Sequence, residues 1–216
     1  MTRPKFTLAE LGALAALLLV AAIFRYWQIG TYPQALHFDE AINGLVTQDL
    51  LRGQWPELLT YDRAREPIIF YVMALPVYFL GPTPGALRVA TASVSLALVA
   101  GVFLLARELF GRKVGLLTAL VCAITVWPIY HGRLATRSIL VPLFLTIALY
   151  FAVRAWRTNR LRHWTICGLV FGAVFYTYAN NLFVIPALAL TVLGALIYDH
   201  AGLFERKWGL LLAAAL

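Results

Sequence analysis

Six apolar stretches, each long enough to cross a bilayer, recur along these 216 residues. Crossing takes about 17 to 25 mostly apolar residues in a helix. Lipid offers no partner for backbone N–H and C=O groups, so each crossing must pair them within itself. The runs are approximately 8–27, 86–106, 114–130, 137–154, 164–180 and 182–199. A seventh begins near Trp208 and stops with the sequence, which reads as the N-terminal part of a longer protein. The expected fold is all-α: one polytopic membrane domain over 1–216 with six to seven transmembrane helices.

Composition agrees. The chain is 62% hydrophobic and 13% charged, against about half and a quarter in soluble domains. Its net charge of +8 does not point to nucleic acid, because the basic residues fall in short loops between apolar runs, where membrane topology explains them. Cys122 and Cys167 both lie inside apolar runs. They form neither a disulfide framework nor a zinc motif and read as small apolar fillers.

The segment 67–81, "PIIFYVMALPVYFLG", is apolar but short, with Pro76 inside it. Charge decides whether it spans. If it does not, Arg3 and Lys5, Arg107 with Arg112 and Lys113, the four arginines from Arg154 to Arg162, and Arg206 with Lys207 share one side. The positive-inside rule makes that side the cytoplasm and favours this arrangement. The segment is then an interfacial or re-entrant helix, and the N-terminus is cytoplasmic. A cleaved signal peptide ending near Val20-Ala21-Ala22 is the alternative for the first run. Either way residues 28 onward lie outside.

One large outer loop results, about 28–85. It holds Asp39, Glu40, Asp49, Glu57, Asp62 and Glu66, six of the ten acids in the chain. A long acidic loop among short ones is the expected place for chemistry. Within it, residues 40–52 carry Ile42, Leu45, Val46 and Leu50 on one helical stripe, and Gly53 is placed to end the helix. Two surface helices, 40–52 and 67–80, then bracket a polar stretch.

Asp39 and Glu40 open the first of these helices. The plainer account is an Asp39 N-cap with Glu40 as an ordinary first-turn acid. His37 adds a third potential ligand, too little to predict a metal. The surroundings favour a functional account. Arg25 ends the first run, Arg88 opens the second, and Arg133 and Arg137 occupy the outer turn "HGRLATR". One such arginine is accounted for by snorkelling. Four, against the positive-inside trend, suit a phosphate gripped by guanidinium forks.

The ordered set "FRYWQIGTYPQALHFDEA", "REPIIFYV" and "GALRVATAS" resembles the N-terminal half of the GT-C membrane glycosyltransferases, nearest to the protein O-mannosyltransferase and aminoarabinose-transferase superfamily. There an arginine ends helix one, an Asp-Glu pair opens the first outer loop, a proline-aromatic surface helix follows, and an arginine opens helix two. The resemblance implies a GT-C-like bundle. It also implies a sugar donor on polyprenyl phosphate and inversion at the anomeric carbon. Asp39 matches the catalytic aspartate, Glu40 its neighbour, and Arg25 and Arg88 positions implicated in the site. In one respect the chain departs. Aminoarabinose transferases have a phosphate-binding lysine where this sequence has Glu66, with Arg65 one residue earlier. Either Arg65 takes over the phosphate or the donor is held differently.

The transfer that this implies needs a base for the acceptor hydroxyl or amine, assigned to Asp39. It needs positive charge for the departing phosphate, from Arg65, Arg88, Arg133 or Arg137. It also needs an apolar groove for the lipid tail. His131, Tyr176, Tyr178 and Asn180 are candidates to line the site; an aromatic belt with a polar turn is the plainer account of the last three. The acceptor is a protein, lipid or glycan, and no cofactor is expected. The setting expected is a bacterial plasma membrane with the site on its outer face. The competing reading is a transporter or flippase for an anionic lipid or solute. It calls for repeats or broken, charged helices at the midplane, and neither is visible in the sequence. A non-catalytic scaffold is a third.

Overall fold

The computed structural model describes residues 6–54 and 66–178, together with residues 183 and 186. Arg65, Asn180, most of the run at 182–199 and the whole of the run from Trp208 lie outside the described residues. Within them the chain is all-helical, and it is an integral membrane protein. Helix α1 (Leu8–Tyr26), α4 (Pro84–Phe110) and the stretch from Arg137 through α7 (Leu140–Thr158) are each long and apolar enough to span.

The third expected span is broken. Its residues form α5 (Arg112–Ile124) and α6 (Val126–Arg133), bent by 53°. Pro128 accounts for the position of the break. A proline has no N–H to donate four residues back, and its ring clashes with that carbonyl. Four residues before Pro128 is Ile124, the last residue of α5. The fifth run gives α8 (Leu161–Val174), which stops six residues before the expected end. There the backbone tightens to three-residue spacing, Phe175 to Gly172 and Tyr176 to Ala173.

Helix α2 (Phe38–Leu51) and α3 (Ile68–Leu80) precede α4. Gly53 follows α2 with φ +78°, a conformation that favours glycine. At about 1.5 Å per residue, α3 is roughly 20 Å long, too short for a hydrocarbon core of about 30 Å. It buries Ile69, Phe70, Met73 and Val77 in one core with Val46 of α2, Leu87, Val94 and Leu98 of α4, and Ile139 and Leu140.

Polar contacts fix the alignment. At one end, Glu10 of α1 pairs with Arg107 of α4, and Glu108 pairs with Arg157 of α7. At the other end α6 lies very close to α4. A Cβ on Gly132 would stand 2.5 Å from the Ser95 Cβ. Thr91 Oγ1 donates to Gly132 O, and Ser95 Oγ donates to Pro128 O. The candidate site lies at this second end.

Candidate functional site

The sequence at the start of α2 sets up a cap, and the cap is not Asp39. His37 is the N-cap: its Nδ1 accepts the Asp39 N–H at 3.2 Å, and Glu40 Oε2 accepts the His37 N–H at 2.9 Å. This is a reciprocal capping box with an imidazole in the place usually held by Ser or Thr. Nor is Glu40 an ordinary first-turn acid. It is fully buried. Its Oε1 accepts from Arg88 Nε at 2.9 Å and from Ala135 N at 2.9 Å; its Oε2 accepts from Arg88 Nη2 at 3.1 Å. Burial alone raises a carboxyl's pKa, but the Arg88, Ala135 and His37 donors outweigh it and hold Glu40 below its ordinary range.

Of the four candidate arginines among the described residues, three are each engaged by three or more of the protein's own oxygens, and none of the three lines the cavity at Asp39. Arg25 is buried, not snorkelling. Its guanidinium donates to Ala21 O, Cys122 O, Ala123 O and Ser95 Oγ. It thereby satisfies carbonyls at the α5 end that the Pro128 break leaves without helical partners. Arg88, also buried, grips Glu40 and donates to Pro33 O and Ala35 O. Arg133 donates to Phe24 O and Arg25 O at the end of α1, and to Tyr32 O.

Arg137 differs. Among the described residues it donates one hydrogen bond, to Glu66 Oε2 at 2.6 Å. Its guanidinium carbon lies 5.2 Å from the centre of the Tyr178 ring. A guanidinium has five N–H donors, so this arrangement leaves capacity for a ligand.

Asp39, His131, Arg137 and Tyr178 meet around one cavity of about 240 Å³. His37, Asn43, Tyr130, Leu134, Thr136 and Ser138 complete its lining. Asp39 is half-buried there. His131 Nδ1 and Ser138 Oγ lie 2.8 Å apart, and the ring packs on Trp127. The cavity thus combines a carboxylate, a guanidinium, hydroxyls and aromatic faces, the groups that a sugar phosphate needs. Glu66 enters through its pair with Arg137. Tyr176 is exposed and does not line it; Arg65 and Asn180 lie outside the described residues.

Asn43, Thr136 and Ser138 were not among the sequence candidates. Asn43 had a readable signal: it stands four residues after Asp39, on the same helix face. A second, larger cavity of about 520 Å³ lies beside the first, with Tyr130 in both linings. Tyr32, Pro33, Val126, Ile129 and Arg133 line it too.

The sequence model of a family described as dolichyl-phosphate-mannose-protein mannosyltransferase matches residues 62–216. Arg88, Arg133, Arg137 and Tyr178 fall inside the match; Arg25, Asp39 and Glu40 precede it. No match was found among curated proteins.

Proposed function

The chain belongs to the dolichyl-phosphate-mannose-protein mannosyltransferase family, a membrane glycosyltransferase family, and on that premise we propose that it moves a sugar from a polyprenyl-phosphate donor to an acceptor hydroxyl or amine, with inversion. The observation that carries this reading is that Asp39 and Arg137 line one cavity. Asp39 is the general base. It takes the acceptor proton as the acceptor atom attacks the anomeric carbon. The bond from that carbon to the phosphate oxygen breaks, and both its electrons leave with the polyprenyl phosphate. Arg137 holds the negative charge that develops there.

Among the described residues, this assignment narrows the four candidate arginines to one. Arg25, Arg88 and Arg133 each already donate to three or more protein oxygens, so recruiting them would strip those oxygens of their partners. The cavity opens on the outer side of a bacterial plasma membrane, with the N-terminus cytoplasmic. The acceptor is a protein, lipid or glycan.

The test is sugar transfer by the full-length protein in membranes supplied with polyprenyl-phosphate mannose and related donors. Transfer that depends on the lipid phosphate supports the reading. Equal transfer from a nucleotide sugar in donor-depleted membranes would contradict it.

A further inference from the structure

We propose that Glu40 and Arg88 are positioning residues that set the separation between Asp39 and Arg137. This rests on the roles given to Asp39 and Arg137 above.

Two distant segments bring the reacting groups together: the first turn of α2 and the connection between α6 and α7. What ties them is the backbone of one residue, Ala135. The Ala135 N–H donates to Glu40 Oε1 at 2.9 Å, and the Ala135 C=O accepts from Asn43 Nδ2 at 2.9 Å. Both ties come from α2. Asp39 precedes Glu40 by one residue, and Arg137 follows Ala135 by two. Any movement of α2 against Ala135 therefore moves the base against the phosphate-binding arginine.

Arg88 makes the tie rigid. Its fork fixes both Glu40 oxygens to α4, and its remaining bonds hold Pro33 and Ala35 in the entry to α2. Glu40, Asn43, Arg88 and Ala135 are each no more than 1% exposed. Neither Glu40 nor Arg88 lines the cavity, so neither touches substrate there. A buried ion pair is seldom the most stabilising filling for such a space. A four-bonded carboxylate does fix direction and distance, which apolar packing does not.

The experiment compares Glu40→Asp, Arg88→Lys and Asp39→Asn in the full-length protein. kcat and donor KM are measured per mole of folded protein, with the unfolding temperature recorded. Glu40→Asp keeps the charge but shortens the arm by about 1.5 Å, one carbon–carbon bond. Arg88→Lys keeps the charge but loses the fork. The expected result for both is a kcat lowered on the order of 100-fold, as for a displacement of about 1 Å between reacting groups, with donor KM little changed. If either variant fails to fold, the other decides. Full kcat in the folded variants, with Asp39→Asn inactive, overturns the positioning role and leaves the base intact. Activity that falls only as folded protein is lost also overturns it. Full activity in Asp39→Asn removes the base, and the positioning role with it.

Discussion

Arg88 donates to both carboxylate oxygens of Glu40, at 2.9 Å and 3.1 Å, with both residues buried. The pair joins α4 to the first turn of α2 across 48 positions of sequence. Removing one partner strands the other charge in the interior. Arg88→Ala should therefore lower stability by about 3–5 kcal/mol, read as a lower unfolding temperature in detergent. A variant with the wild-type unfolding temperature would show that the pair carries no such weight.

Acid should loosen the same contact. Glu40 titrates below its ordinary value because its donors outweigh its burial. A carboxyl with a lowered folded pKa stabilises fully above its unfolded value, about 4.3 for glutamate. That contribution is lost as pH falls from there through the lowered folded value. Wild-type protein should lose stability over this acid window, and Glu40→Gln should show a flatter profile there. Parallel profiles in a pH series of unfolding temperatures would count against the assignment.

Arg25 should behave as a structural residue. Its guanidinium satisfies Cys122 O and Ala123 O where Pro128 interrupts the helix. Arg25→Ala leaves these carbonyls unpaired, at about 1–3 kcal/mol for each buried group. The expected outcome is less folded protein in the membrane with donor KM unchanged in what does fold. A selective rise in donor KM would place Arg25 at the phosphate instead.

Arg137 and Glu66 should act in opposite directions. Arg137→Ala removes a charged donor worth about 1.5–3 kcal/mol, so donor KM should rise roughly 10- to 150-fold. Glu66 pairs with Arg137 at 2.6 Å and competes with an anion for it. Glu66→Gln should lower donor KM. If both substitutions raise it to the same extent, Glu66 supports Arg137 and does not compete for it.

Much of the architecture was legible because bilayer-length apolar runs leave few options. The 8–27 run became α1 (Leu8–Tyr26), and 86–106 became the core of α4. The break after Ile124 was not read, because Pro128 is hidden in an otherwise continuous apolar stretch. The arginines were found by their position at run ends, which does not say what each guanidinium meets. Asp39 and Glu40 look equivalent in sequence, yet adjacent helical residues point about 100° apart. One faces the cavity and the other is enclosed by Arg88 and Ala135. That division depends on a tertiary contact 95 positions away, and no local pattern encodes it. The same holds for Ser138, whose place at the site comes from the return of the chain after α6.

The most direct test of the account is turnover of Asp39→Asn at saturating polyprenyl-phosphate sugar, measured beside its affinity for the donor. The account predicts folded protein, donor affinity close to wild type, and a turnover lowered by about 10²- to 10⁴-fold, the usual contribution of a general base. Turnover within a few-fold of wild type would contradict it.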